Sequence, residues 1–253
     1  MKNVSKILVL VLVLTVLLTA CGPKKADKLT IGTSADFPPF EFVDENGDFA
    51  GFDVDLINKL SEVMGVEVEI VDMPFDSLVA SVQEGKIDMS VAAFNYSEER
   101  DEVVDFTDFY YYAMDGFMVA EDFAAEITAP EDIAGLIVGC QTGSTQNAYI
   151  QENLVDTGLL PAENFFTYER VDQAALDVKA GRIDVLMAEA AVLGSFEKEM
   201  GGLKIAYTAE MSSGPMAMII PEGDTELQTK LNAAINELLD SGYVDELAAK
   251  WMK

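Results

Sequence analysis

Two adjacent hydroxyl residues follow a glycine at an expected strand-to-helix turn. Gly143-Ser144-Thr145 comes just after the apolar run 136–140. Free backbone N–H groups and the dipole of a helix N-terminus favour an anion at such a turn by about 0.3–1 kcal/mol. An ordinary helix N-cap is the alternative interpretation, and both roles are compatible. The spacing therefore indicates a place where an anionic group could bind.

The composition excludes several kinds of chemistry. The 253 residues contain no histidine, so a Ser-His-Asp or Cys-His site and an imidazole metal site are absent. The net charge of -29 would repel a phosphate backbone, and we expect no nucleic-acid partner. Cys140 lies in an apolar run and is predicted to be a buried structural thiol rather than a nucleophile. The sequence indicates no metal, cofactor or catalytic residue.

The N-terminal segment has the pattern of an export signal. Basic residues precede the apolar run 7–18, which is too short for the ~20 residues that cross a bilayer. The following LTAC resembles the bacterial lipobox, in which the cysteine is lipidated; a signal peptide with a chance cysteine is the alternative. We predict a signal peptide over 1–20, and a lipidated Cys21 with a tether over 21–28. The protein should then be lipid-anchored on the extracytoplasmic face of the cell membrane.

Helical and strand patterns alternate along the rest of the chain. Helices are predicted over 53–64, 75–82, 171–178 and 227–238 and in a last segment ending at Trp251, and strands over 29–31, 66–70, 87–93 and 136–140. This alternation favours an α/β fold with mainly parallel sheets and helical crossovers.

The chain also contains pairs of segments that resemble each other. Residues 84–93 (EGKIDMSVAA) return in kind as residues 180–189 (AGRIDVLMAE), and the strand at 31–33 has a partner at 138–140. The offsets, 96 and 107 residues, are too long for a solenoid repeat and suit two lobes of similar topology. Ligands of such sheets bind beyond the carboxyl ends of the strands, so we expect a binding cleft between the lobes.

Five motifs in order resemble the solute-binding proteins of polar amino acid ABC importers. They are 32–42 (GTSADFPPFEF), 51–56 (GFDVDL), 97–111 (SEER, VDFT and YY), 141–145 (QTGST) and 242–251 (GYVDELAAKW). The resemblance covers almost all of the chain after the tether. It implies a two-lobed, type II periplasmic-binding-protein-like α/β fold, in which each lobe is a mainly parallel sheet flanked by helices and two hinge strands cross over. Lobe 1 is expected over 29–117 and 219–253, and the inserted lobe 2 over 118–218.

The resemblance implies ligand-binding roles for nine residues. They are Ser34, Phe37, Phe75, Ala93, Asn95, Arg100, Ser144, Thr145 and Glu189. Arg100 is expected to hold a ligand α-carboxylate through its planar fork, with Ser144 and Thr145 as the contact from lobe 2. A surface arginine satisfied by its acidic neighbours is the alternative. Phe37 and Phe75 would sandwich the ligand side chain, with core packing as the alternative for either ring.

Three departures from the family pattern bear on the ligand. Ser34 stands where basic-amino-acid binders carry an Asp, which weakens the case for lysine or arginine unless Glu41 or Asp36 supplies a charge. Ala93 and Asn95 replace the usual small hydroxyl residues, although an amide carbonyl can still accept a hydrogen bond.

The third departure is Glu189, at the position where an Asp usually receives the ligand ammonium group. The charge is kept, but the extra methylene requires a wider cleft or a smaller amino group. A side chain that points to solvent at the lobe edge is the alternative.

The resemblance implies a monomeric, non-catalytic binding protein. It would capture a free amino acid, polar or basic, such as glutamine, arginine or lysine, or a derivative, and deliver it to an ABC transporter permease. The alternative is a cyclohexadienyl dehydratase-like enzyme on the same fold, with Glu189 as a proton donor of raised pKa. Arg170 and Arg182 lie outside the motifs, and their loss is expected to leave binding nearly normal.

Overall fold

The computed structural model describes residues 28–252. The predicted signal peptide, Cys21 and nearly all of the tether lie outside the described residues. Within residues 28–252, no helix combines the length and the apolar composition that a membrane span needs.

The first lobe is built from an N-terminal and a C-terminal part of the chain. Its elements are β1 (Lys28–Thr33), β2 (Asp36–Phe37), β3 (Glu41–Val43), β4 (Phe49–Ala50), α1 (Phe52–Met64), β5 (Glu67–Asp72), α2 (Phe75–Gln83), β6 (Met89–Ser90), α3 (Glu98–Asp101) and β7 (Val104–Phe106), followed late in the chain by β15 (Ile219–Pro221), α7 (Thr225–Asp240) and α8 (Tyr243–Trp251). The sheet has the order β5-β1-β6-β15-β7. Because β15 runs antiparallel to both of its neighbours while β1 is parallel to β5 and β6, four of the five strands point the same way.

The second lobe repeats this plan. Its elements are β9 (Asp115–Ala120), a 3-10 helix (Pro130–Ile133), β10 (Val138–Gln141), α4 (Thr145–Ile150) with a π-helical continuation (Gln151–Val155), a 3-10 turn (Ala162–Asn164), β11 (Phe165–Tyr168), α5 (Val171–Lys179), β12 (Val185–Glu189), α6 (Ala190–Met200) and β13 (Leu203–Ala209). The sheet has the order β11-β10-β12-β9-β13, with β9 antiparallel to its neighbours. The similar segments of the sequence thus belong to two sheets of the same arrangement, in which the fourth strand runs antiparallel to its neighbours.

Two short strands carry the chain between the lobes. β8 (Tyr111–Tyr112) pairs antiparallel with β14 (Pro215–Met216). Next to this ladder, Ala113 N–H donates to Gly214 O at 2.9 Å. The boundary expected between residues 117 and 118 falls inside β9, whose whole length pairs within the second sheet.

The helical stripes of the sequence form the inner faces of the helices. α1 buries Phe52, Leu56, Ile57 and Leu60, and it ends at Gly65, whose positive φ of 65° suits glycine at a helix C-terminus. One cluster of buried apolar residues extends from α1 in lobe 1 to α5 and α6 in lobe 2. The lobes therefore lie against each other, with the cleft between them closed to a small pocket.

Cys140 is fully buried in β10. Its burial raises the pKa of the thiol, which suits a structural residue and not a nucleophile.

Candidate functional site

A pocket lies between the lobes. Its lining comprises all nine predicted ligand-binding residues together with four others: Ser34, Phe37, Glu41, Phe75, Ala92, Ala93, Asn95, Arg100, Gln141, Ser144, Thr145, Gln146 and Glu189. Residues far apart in sequence thus meet around one space between the lobes.

Arg100 projects from the short helix α3 into the cleft. Its Nη1 donates to Asn95 O at 2.8 Å, and its Nη2 donates across the cleft to Gly143 O at 2.9 Å. The guanidinium also lies over the rings of Phe75 and Phe94, at 5.5 and 5.3 Å from their centroids. Burial lowers the pKa of Arg100 to about 10, so the group remains a cation at neutral pH. The guanidinium donates to carbonyl oxygens and not to the acids of its own helix, which disfavours the surface-arginine alternative.

The turn at Gly143 brings lobe 2 close to lobe 1. Gly143 has a φ of 75°, and a Cβ there would lie 3.2 Å from the Cβ of Asp76 in lobe 1. Ser144 is the N-cap of α4: its Oγ accepts from Asn147 N–H at 3.1 Å and donates to Gln141 O at 2.8 Å. The hydroxyl of Thr145 is buried and has no hydrogen-bond partner in the described part of the chain. Ser144 therefore has the capping role, while Thr145 has hydrogen-bonding capacity left for a ligand.

Glu189 ends β12 and is 3% exposed, which excludes the solvent-edge alternative. Its Oε1 accepts from Asn95 Nδ2 at 2.6 Å, from Gln146 Nε2 at 3.1 Å and from the Ser213 hydroxyl at 3.5 Å, whereas its Oε2 has no partner among residues 28–252. Burial, together with the nearby charge of Asp115, raises the pKa of Glu189 to about 7. The open oxygen is suited to a cationic donor from a ligand.

A second buried acid, Glu41, lines the opposite wall on β3. It is 1% exposed, and no group of the described residues donates to either of its carboxyl oxygens. The carboxyl lies against Asp53, and burial, this neighbouring charge and a hydrogen bond with Asp53 raise the pKa of Glu41 well above its usual range. Asp53 in turn accepts from Ala93 N–H at 2.7 Å and from the Tyr110 hydroxyl at 3.1 Å, and burial raises its pKa to about 6. The pocket thus holds an acid that lacks a counter-ion.

Ala93 adopts a backbone conformation that L-residues rarely use. Its φ is 48°, although it is not a glycine, and its N–H is the one that Asp53 accepts. Such conformations cluster at ligand sites, where surrounding contacts hold them in place. Ala93 thus contributes to the pocket through its backbone.

Ser34 and Phe37 occupy the β1–β2 side of the pocket. The Ser34 hydroxyl donates to Asp36 Oδ1 at 2.8 Å, and Phe37 is 8% exposed. Phe75, which is less buried, stacks on Phe94 with centroids 4.8 Å apart. Both predicted aromatic residues therefore pack against the protein and also face the pocket.

Asp36 and Arg170 connect the lobes outside the pocket. Asp36 Oδ2 accepts from Val171 N–H, the first residue of α5, at 2.6 Å. Arg170 Nη2 donates to Ala35 O at 3.1 Å, and its guanidinium lies 3.7 Å from Asp72. The side chain of Arg170 crosses from lobe 2 to lobe 1, so the expectation that its loss would leave binding nearly normal now has a specific contact against it. Asp36 is engaged in this contact and does not line the pocket.

Comparison with known proteins agrees with this geometry. The model of the bacterial extracellular solute-binding proteins, family 3, matches residues 29–253. The chain belongs to this family. The arginine-binding extracellular protein ArtP of Bacillus subtilis (strain 168) is 32% identical over 94% of this chain and 93% of its own.

Solved structures resemble this family 3 protein over most of its length. An ancestral arginine-binding protein bound to arginine has a TM-score of 0.83 and 33% identity, covering 91% of this chain and 100% of that chain. An ancestral amino acid-binding protein, a precursor of cyclohexadienyl dehydratase, has a TM-score of 0.80 and 30% identity, covering 89% and 96%. The expected type II periplasmic-binding-protein fold is thereby confirmed.

Four pocket residues of this family 3 protein were not among the nine expected. They are Glu41, Ala92, Gln141 and Gln146. Gln146 directly follows Thr145, and Glu41 lies within the first motif. Their positions in the sequence could therefore have identified them as pocket residues. The sequence alone indicates Glu41 only as a possible replacement charge for the acid missing at Ser34.

Proposed function

We propose that this protein captures a free amino acid with a cationic side chain, arginine in the first place, and delivers it to an ABC importer. The observation that carries the proposal is Glu41, a buried carboxyl with no donor on one wall of the pocket. Buried charges in proteins are paired, so an acid in this position is suited to a ligand cation. Arginine-binding proteins among the relatives support the same choice of ligand.

The α-carboxylate and α-ammonium groups would bind on the other side of the pocket. Arg100 presents its fork to the carboxylate, and the unpartnered hydroxyl of Thr145 supplies a second donor. Glu189 Oε2 accepts from the ammonium group. Each charged end of a zwitterion thus meets a group of opposite charge.

The side chain of the ligand would extend between the aromatic faces toward Glu41. Phe37 and Phe75 both line the pocket, and aromatic faces attract a planar guanidinium. The missing acid at Ser34 is compensated by Glu41, which lies in the same motif. A neutral glutamine could bind the α-groups equally but would leave Glu41 without a charge partner.

Delivery to a permease follows from membership in the family, and a lipid anchor at Cys21 would keep the protein beside it. The anchor is a proposal from the LTAC motif alone.

A dehydratase is the second candidate, because Glu189 is a buried acid whose pKa is raised to about 7. Such a group can donate a proton at neutral pH. The raised pKa has a simpler source in burial beside Asp115, and a ligand ammonium group would reverse it. We therefore propose a non-catalytic protein, and prephenate or arogenate should not be turned over.

Calorimetric titration with arginine, lysine, histidine and glutamine tests the proposal. We expect arginine to bind most tightly. Glu41→Gln should weaken arginine binding by about 2–5 kcal/mol, because one partner of a buried charge pair is lost, and should alter glutamine binding little. Glu69→Gln, which removes an exposed ion pair with Lys28, is the matched control. Equal losses for arginine and glutamine, or no binding of any amino acid, would contradict the proposal.

A further inference from the structure

Asp115 lies beside Glu189 in lobe 2 but does not line the pocket. The two residues are paired in the antiparallel register of β9 and β12, so their side chains leave the sheet on the same face. Asp115 is 0% exposed. Two acids directly opposite each other in a buried sheet repel, and their retention requires compensation by nearby donors.

The protein satisfies Asp115 with six hydrogen bonds. Its Oδ2 accepts from the backbone N–H groups of Met211, Ser212 and Ser213 at 3.1, 2.6 and 2.7 Å. Its Oδ1 accepts from the hydroxyls of Ser212 and Ser213 at 3.1 and 2.6 Å, and from Gln146 Nε2 at 2.8 Å. No such saturation exists at Glu189, where one oxygen is left open. The neighbouring acids therefore differ in what they can still bind.

The same bonds connect Asp115 to the walls of the pocket. The Gln146 amide that donates to Asp115 also donates to Glu189 Oε1. The segment held by Asp115 continues into Gly214, whose N–H donates to Asn95 Oδ1 at 3.0 Å, and Asn95 Nδ2 donates to Glu189. Both amides that hold Glu189 are thus oriented by contacts that start at Asp115.

We propose that Asp115 is a positioning residue for recognition of the ligand ammonium group. It orients Gln146 and the segment 211–213, so that Glu189 is held through Oε1 and keeps Oε2 for the ligand. Its negative charge adds to that of Glu189 at the place where the ammonium group binds. The proposal rests on the proposed function, because it requires an amino acid in the pocket.

Asp115→Asn is the direct test, since all six partners are donors and an amide offers only one acceptor oxygen. We expect arginine to bind at least about tenfold more weakly to this variant. If Asp115 acts through Glu189, the two changes should not be additive, and Asp115→Asn should cost less than about threefold in a Glu189→Gln background. Asp132→Asn, which removes an acid that also accepts three bonds in lobe 2, should leave binding unchanged.

The pH profile separates this role from a general loss of stability. The charge of Asp115 raises the pKa of Glu189, and Glu41 and Arg100 are the other ionisable groups of the pocket near it. Affinity for arginine should fall at acid pH as Glu189 is protonated, and calorimetric titration between about pH 5 and 8 would show this fall. Removing the charge of Asp115 should move the fall in affinity to lower pH. A variant that is less stable but unaltered in this profile would have lost only a structural contact.

Three results distinguish the possible failures. If the wild type binds no amino acid, the proposed function itself is wrong. If Glu189→Gln weakens binding but the Asp115→Asn loss is fully additive with it, only the positioning role is wrong. If Asp115→Asn does not fold, Ser212→Ala, which removes one hydroxyl donor to Asp115 and does not contact Glu189, replaces it in the same cycle and is expected to show the same non-additivity on a smaller scale.

Discussion

Replacement of Arg100 by alanine is the most informative perturbation of the binding site. It removes the only basic side chain among the described residues that line the pocket. It also removes the bonds to Asn95 O in lobe 1 and Gly143 O in lobe 2, and the contact with two aromatic rings. The ligand carboxylate would then be enclosed without a counter-charge.

The expected loss can be worked out from these contacts. Truncation of one partner in a buried charge pair costs about 2–5 kcal/mol, or about 30-fold to several-thousand-fold in Kd. The bond from Arg100 to Gly143 also joins the closed lobes, and a hydrogen bond from a charged group contributes about 1.5–3 kcal/mol. We therefore expect the upper half of the range, about 300-fold or more. Arg100→Lys should restore little, because an ammonium group keeps the charge but lacks the planar fork.

Calorimetric titration of the variants with arginine is the assay, with circular dichroism to confirm that each is folded. Arg182→Ala is the matched control, because Arg182 is largely exposed and its guanidinium binds Asp177 within lobe 2. Arg170→Ala cannot serve, since that side chain reaches lobe 1. If wild type and Arg100→Ala bound with near-equal affinity, the carboxylate would be held elsewhere or absent, and the amino acid assignment would have to be given up.

Arg170→Ala should weaken binding of every ligand about fivefold, because a lobe-to-lobe hydrogen bond worth about 1 kcal/mol is lost, as titration with arginine and glutamine would show. Glu189→Gln should weaken arginine binding by about 2–5 kcal/mol, and unaltered affinity would remove Glu189 from the ammonium site. The folded-state pKa values of Asp36, Asp53 and Glu189 are raised to about 6, 6 and 7, so the ligand-free protein binds protons more tightly than the unfolded chain. Its stability should therefore rise as pH falls from about 8 to about 5, and the increase in Tm caused by arginine should be larger at pH 8, as thermal melts at both pH values would reveal. Cys21→Ser should release the protein from the membrane fraction, whereas continued membrane association on fractionation would remove the lipid-anchor hypothesis.

The resemblance to a known family was sufficient to locate the pocket, because it assigns roles to individual positions both inside and between the five motifs. All nine expected residues line one space, although they come from both lobes. Helical stripes were equally informative: the pattern over 53–64 corresponds to α1 (Phe52–Met64). The apolar run 87–93 was a poorer guide to structure, because only Met89–Ser90 of it is a strand. The chain then adopts a positive φ at Ala93, whose N–H donates to Asp53.

Contacts that depend on how the lobes meet were not predictable. Arg170 lies in no motif, and its partner Ala35 is 135 residues away. The isolation of the Glu41 carboxyl is likewise a result of packing, because a PPFEF motif does not show whether the acid will find a donor. Hydrophobic periodicity predicts which face of an element is buried, but not what a buried polar group will contact.

Helix α5 begins without a side-chain cap of its own, and the other lobe supplies the missing acceptor through Asp36. Separation of the lobes would leave this helix end uncapped, a change worth about 0.5–2 kcal/mol. That free energy stabilises the closed conformation of the two lobes by the same amount whichever ligand is bound. Loss of this cap would therefore scale the affinities for all ligands by one common factor and leave their rank order as it was. In this chain, the strength of capture and the choice of what is captured can evolve separately.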